Sequence, residues 1–105
     1  MPALAIEIDK DRLRDFCQRW KITEFALFGS VTRPQEFRAD SDVDVFVRFA
    51  DDAPWSLFDI MDVREELQAI FGRPVDLAER AGIEQSGNYL RRTEILGTAV
   101  LLDVA

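Results

Sequence analysis

The sequence predicts one domain over residues 1–105, of the α/β (α+β) class, with a small mixed β-sheet flanked by helices. Three observations carry that reading. The chain has 105 residues with 48% apolar side chains, enough for one core and too few for two. Short apolar runs of β character recur at Ile22–Phe28, Val43–Phe49 and Pro74–Ala78. Between them lie segments whose apolar residues recur at helical spacing, an interleaving that favours a sheet covered by helices. No repeat and no low-complexity tract interrupts the pattern.

The elements follow in order. Asp9 is placed to cap a helix running to about Trp20, with Leu13, Phe16, Cys17 and Trp20 at i, i+3, i+4 and i+7 on one face. Ile22–Phe28 reads as a strand that stops at Gly29-Ser30. Val31–Asp40 reads as a short helix or loop, because Pro34 opposes a long helix. Val43–Phe49 alternates: Val43, Val45, Val47 and Phe49 point one way, and Asp42, Asp44, Phe46 and Arg48 the other. Pro54 is suited to the start of a helix that reaches Phe71, with Leu57, Ile60, Met61, Arg64, Leu67 and Phe71 on its stripe, before Gly72 stops it. Val75 and Leu77 face one side of the next strand and Asp76 the other. Asn88 is placed to cap a last helix to about Leu96, and Thr98–Leu102 reads as a final strand or docked tail.

Composition narrows the chemistry. The formal charge is −7, and an acidic surface repels phosphate backbones, so direct nucleic-acid binding is not expected. A basic partner or a metal-carried ligand fits such a surface better. With no histidine and one cysteine, Cys17, the chain has no imidazole base, no Ser-His-Asp or Cys-His site, no thiolate-rich zinc site and no intrachain disulfide. Carboxylates remain, and they favour hard cations such as Mg²⁺. Met1–Ile8 lacks a signal-peptide pattern and no apolar run approaches membrane-spanning length, so a cytoplasmic protein without membrane contact is expected.

The informative stretch is Leu27-Phe28-Gly29-Ser30 followed by Asp40-Ser41-Asp42-Val43-Asp44-Val45. An Asp-x-Asp pair alone is weak in an acidic chain, and Asp42 and Asp44 can be read as solvated residues on the outer face of a strand. Three features favour a site. The pair sits in an apolar strand, where like charges on one face repel unless something binds between them. Alternate residues lie about 6.6 Å apart along a strand, so their carboxylates can converge on a cation or on two cations roughly 4 Å apart. Upstream, Gly29 permits close backbone approach to a ligand, and Ser30 offers a hydroxyl and free N–H donors to a phosphate, although it can equally be a plain helix cap. Asp76 can point the same way as the pair. The constellation suits in-line attack at phosphorus, with Asp42 and Asp44 on metal and Asp76 as metal ligand or general base. Arg33 can contact a phosphate or pair with a nearby acid. Arg91 and Arg92 can meet a nucleotide, a partner or only solvent, with solvent favoured; Cys17 reads as core, the Trp55, Phe58 and Met61 region as core or, where exposed, as a partner surface, and Asp51, Asp52, Glu65 and Glu66 as solvated.

Gly29-Ser30 with Arg33, then Ser41-Asp42-Val43-Asp44-Val45, resembles the signature of the DNA polymerase β-like nucleotidyltransferases. Gly72-Arg73-Pro74-Val75-Asp76-Leu77 and Asn88-Tyr89-Leu90-Arg91-Arg92 resemble the third-aspartate strand and C-terminal helix of the minimal nucleotidyltransferase (MNT) group. The resemblance covers roughly residues 13 to 102. It implies a nucleotidyltransferase-like fold in which Gly29 and Ser30, with Arg33, bind the nucleotide phosphates and Asp42, Asp44 and Asp76 bind metal and catalyse. It further implies Mg²⁺ as cofactor, ATP as donor, and a HEPN-domain ribonuclease toxin as partner. Minimal members often act as antitoxins, and some transfer AMP to a tyrosine hydroxyl of the toxin. Two alternatives remain: a binding-only antitoxin, favoured by the eleven residues between Ser30 and Asp42 and by Pro34, and a small-molecule (aminoglycoside-type) nucleotidyltransferase.

Overall fold

Asp9 begins the first helix as expected: its carboxylate accepts the Arg12 amide at 3.1 Å, and α1 runs Lys10–Arg19. Asp11 in its first turn and Arg19 in its last complement the helix dipole. Lys21, at φ 55°, turns the chain into β1 (Ile22–Phe28). The computed structural model describes residues 6–38, 40–85 and 87–105; the side chains of Tyr89 and Arg91 lie outside the described part, and with them the expected solvation of Arg91.

After β1 a 3-10 turn occupies Gly29–Thr32, and β2 spans Val43–Phe49. Ser56 and Asp59 form a reciprocal capping box that starts α2 (Leu57–Phe71), which ends on Gly72 at φ 71°. β3 (Val75–Glu79) runs straight into α3 (Arg80–Glu84), and α4 (Tyr89–Thr98) precedes β4 (Val100–Leu101). The sheet order is β3-β2-β1-β4. β1 is antiparallel to β2 and to β4, while β2 and β3 are parallel, joined by the crossover helix that a parallel pair requires. The mixed sheet with flanking helices is thus the predicted class.

Strand alternation divides the core in two. On one face Phe25, Leu27, Val43, Val45, Val47 and Val75 pack with Leu13, Phe16 and Cys17 of α1 and Val63 and Leu67 of α2. On the other, Ala26, Phe28 and Phe46 meet Ile83 of α3, with Ala78, Ile95 and Leu96 beside them. Cys17 is core as expected, and burial pushes its thiol up to about 12. Among the described residues no helix is long and apolar enough to cross a membrane.

Several expectations are corrected. α2 starts at Leu57 rather than near Pro54, because Ser56 supplies the cap. Its buried stripe centres on Val63 and Leu67, with Ile60, Ile70 and Phe71 half-buried, rotated by roughly 70° from the expected one. Leu57, Phe58 and Met61 are therefore exposed, at 74%, 78% and 52%, and Phe58 and Met61 are not core. Trp55 is half-buried, edge-on to Trp20 at 5.0 Å, with its indole N–H donating to the Trp20 carbonyl at 2.7 Å. Glu66 is half-buried rather than solvated: it accepts Arg19 and the Trp20 indole N–H, and the Arg19 contact holds its carboxyl below the usual range. The third strand ends at Glu79 rather than Ala78, and α3 has no counterpart among the elements expected from the sequence. Arg80 anchors that five-residue helix by pairing with Glu24 of β1 and Glu84.

Candidate functional site

The site begins where β1 ends. Gly29 has φ +73°, a left-handed conformation that favours glycine. A Cβ built there would stand 2.2 Å from Oδ2 of Asp44 and 3.1 Å from its Cγ. Only a residue without a side chain lets this turn lie against that carboxylate. Phe28 occupies the cap position of the 3-10 turn and Ser30 is not a cap; Thr32 Oγ1 donates to the Gly29 carbonyl at 2.7 Å, tightening the turn. Ser30 is half-buried, and its carbonyl accepts the Arg33 amide at 2.9 Å.

Sheet register brings the carboxylates to the same place. Phe28 pairs with Asp44 across β1 and β2, and Asp44 pairs with Asp76 across β2 and β3. Neighbouring strands lie about 4.8 Å apart, and partners in register project to the same face. Asp44, Asp76 and, two residues before Asp44, Asp42 share the parity of Phe46 and Ala78, on the side covered by α3 and α4. Asp44 is half-buried, while Asp42 and Asp76 are exposed. Among the described residues no three acidic or thiol side chains stand close enough together to enclose an ion as they are. Like charges on one face repel, which opposes closing such a set without a cation between them. The donor chemistry nevertheless fits a hard divalent cation, since all three are carboxylates and the Gly29 turn leaves Asp44 room that a Cβ would fill.

The connection from Ser30 to Asp42 is held from the opposite end of the site. The Arg73 guanidinium donates to the carbonyls of Ser41 (3.1 Å) and Arg38 (3.4 Å) and lies 4.6 Å above the Phe37 ring. Ser41 Oγ accepts the Arg38 amide at 2.9 Å, and the Val43 amide donates to the Pro74 carbonyl at 3.0 Å. Arg33 pairs with Glu36. Sequence reasoning passed over Arg73 as a functional residue, although it stands two residues before Val75 in the very segment that carries Asp76.

Beside Asp76 a cavity of about 250 Å³ opens between the sheet and the two short helices, lined by Phe28, Ala78, Ile83, Ile95, Asp76 and Arg92. Arg92 is half-buried rather than solvated, and donates to the Glu84 carbonyl at 3.2 Å. A nucleotide or partner contact was one of the readings the sequence allowed for Arg92, and Phe28 stands in the stretch before Gly29, but the cavity the two share with Ile83 and Ile95 was not expected. Nothing local shows that they meet, because the sheet and α4 bring them together from distant parts of the chain.

The family model of the nucleotidyltransferase domain matches residues 10–100, which hold Gly29, Ser30, Asp42, Asp44 and Asp76. The chain belongs to the nucleotidyltransferase domain family. This nucleotidyltransferase is 34% identical, over 71 residues, to the protein adenylyltransferase MntA of Thermococcus cleftensis, an overlap of 68% of this chain and 69% of that protein. It also resembles a solved structure described as a minimal nucleotidyltransferase (29% identity, TM-score 0.68), covering 89% of this chain and 88% of that one. A toxin–antitoxin crystal structure with AMP-PNP shares the fold at 18% identity and TM-score 0.65, over 90% of this nucleotidyltransferase and 72% of the other chain.

Proposed function

We propose that this nucleotidyltransferase transfers AMP from ATP to a tyrosine hydroxyl of a HEPN-domain ribonuclease toxin, and so acts as the toxin's antitoxin in the cytoplasm. The observation that carries the reading is the register of Asp44 with Asp76 beside the Gly29 turn. The relative named protein adenylyltransferase, the toxin–antitoxin neighbour with AMP-PNP and the resemblance to the minimal group support the acceptor, the donor and the partner. A −7 chain is also the complement of a basic, RNA-binding toxin surface.

In the proposed reaction the phosphates of ATP lie against the Gly29–Ser30 turn, with Ser30 and Arg33 as donors. The acceptor oxygen attacks the α-phosphorus in line, the bond to the bridging β-phosphate oxygen breaks, and pyrophosphate leaves. The acceptor proton passes to Asp76 as general base. Asp42, Asp44 and Asp76 would hold Mg²⁺, which supplies charge neutralisation on the phosphates when bound. Asp42 and Asp44 stand at one end of the site, and the protein's remaining work is positioning.

The test mixes the protein with ATP, Mg²⁺ and the product of its chromosomal neighbour and follows intact mass. Added nucleotidyl mass on the neighbour, absent when Asp42 and Asp44 are both changed to Ala, is the expected result. Complex formation and neutralisation that persist in the double variant, with no mass added by the wild type, would reject catalysis in favour of a binding-only antitoxin.

A further inference from the structure

Three carboxylates face the site, and the fold does not hold them alike. Asp44 and Asp76 stand in register inside β2 and β3. Asp42 precedes β2, which begins at Val43, and is exposed, so neither a ladder pair nor burial fixes it. Its place depends on the two peptide groups beside it.

Both are bound to the segment that leads into β3. On one side the Val43 amide donates to the Pro74 carbonyl at 3.0 Å. On the other the Ser41 carbonyl accepts from Arg73 Nη1 at 3.1 Å. The register explains why a side chain makes the second link. In a parallel pair the backbone bonds recur at even spacing along the strands. With Val43 opposite Val75, the bond preceding that of Val43 to Pro74 would run from the backbone N–H of residue 74 to the Ser41 carbonyl. Residue 74 is proline and has no N–H to donate. The carbonyl beside Asp42 would lose its ladder donor, and Arg73 supplies one from the adjacent position.

The guanidinium is itself well placed. The same nitrogen donates to the Arg38 carbonyl at 3.4 Å, that carbonyl also accepts the Ser41 amide at 3.1 Å, and the guanidinium carbon lies 4.6 Å from the centre of the Phe37 ring. Where Arg14, Arg19, Arg33, Arg48 and Arg80 pair with acids, Arg73 is directed at backbone carbonyls.

We infer that Arg73 is a positioning residue for Asp42: standing in for the backbone donor that Pro74 lacks, it fixes the peptide before Asp42 and so presents that carboxylate to a divalent cation shared with Asp44 and Asp76. This rests on the metal-binding role proposed for the three aspartates. Groups that orient a metal ligand without touching the metal typically contribute about 10–100-fold to affinity. The positive charge of Arg73 acts in the opposite sense, because it repels a cation. The sign of the effect therefore separates positioning from electrostatics.

The test is a Mn²⁺ titration of the protein alone, without nucleotide or partner, read by water-proton relaxation. Arg73→Met keeps an apolar stem for Phe37 and removes the donor, and should weaken Mn²⁺ binding by about tenfold or more. Combining it with Pro74→Ala returns an N–H to position 74, and the double variant should bind Mn²⁺ to within about threefold of wild type. Unchanged or tighter binding in Arg73→Met, whatever its loss of stability, would overturn the inference, as would a double variant no better than the single one. Amide NMR gives a reading that needs no metal. The Asp42 and Val43 resonances should move in Arg73→Met and return toward their wild-type positions in the double variant. Resonances that stay displaced there would refute the substitute-donor role. If the wild type binds no Mn²⁺ but the resonances move and return, the metal role proposed for the aspartates fails and the hold on Asp42 stands.

Discussion

Gly29→Ala isolates the contact on which the site depends. Two costs are built into the position. An L residue at φ +73° is strained by about 1–2 kcal/mol. The new methyl would also stand 2.2 Å from Asp44 Oδ2, against 3.4 Å for ordinary contact, so the carboxylate must withdraw by about 1.2 Å. Displacements near 1 Å in a catalytic group can cost about a hundredfold in rate. Gly72 supplies the control, because it has almost the same φ, +71°, and a methyl group added there would meet nothing within 4 Å. Gly72→Ala should show the backbone strain alone. Both variants should lower Tm, at about 4–8 °C per kcal/mol for a domain of this size. Only Gly29→Ala should also lose about a hundredfold in kcat for AMP transfer, measured with labelled ATP and the partner protein. Adding Asp44→Ala to Gly29→Ala removes the clash and leaves the strain, so the double-mutant cycle should show a stabilising coupling. If Gly29→Ala and Gly72→Ala lose stability and rate equally, and the cycle is additive, the close approach of Asp44 to the turn has no part in the site.

Other outcomes follow from the same geometry. Arg73→Ala removes two carbonyl contacts and the Phe37 stacking, and should cost about 1–2 kcal/mol in denaturant unfolding, with faster hydrogen exchange at Ser41 and Val43. Cys17, buried with its thiol at about 12, should resist alkylation at pH 8 in the native protein and react fully once unfolded. The Glu66 carboxyl is lowered chiefly by Arg19, so its contribution to stability is complete above the ordinary glutamate value and lost as pH falls through the folded one. Glu66→Gln should therefore cost about 0.5–1 kcal/mol at neutral pH, a deficit that closes below pH 4.5 in urea melts.

Different parts of the fold were legible for different reasons. β1 and β2 have the bounds expected of them, because each is a dense run of β-branched and aromatic residues. α2 was legible as a helix but not in its orientation. Two neighbouring stripes carry apolar residues, and only packing against the sheet chose Val63 and Leu67 over Leu57 and Met61. α3 has five residues with Gly82 in the middle, too short for periodicity to register. It is held by Arg80, whose partner Glu24 lies far away in sequence.

The residues alone determined the chemical possibilities: no imidazole, one thiol, an excess of carboxylates, and three aspartates whose parity sets them opposite Val43, Val45 and Val75. That much is legible because side-chain type and strand parity are local properties. Tertiary structure decided that β2 and β3 run parallel with Asp44 beside Asp76, that Gly29 touches Asp44, and that Phe28, Ile95 and Arg92 enclose a cavity. Strand pairing and helix docking join residues distant in the chain, and their register is set by the burial of the whole sheet rather than by any one segment.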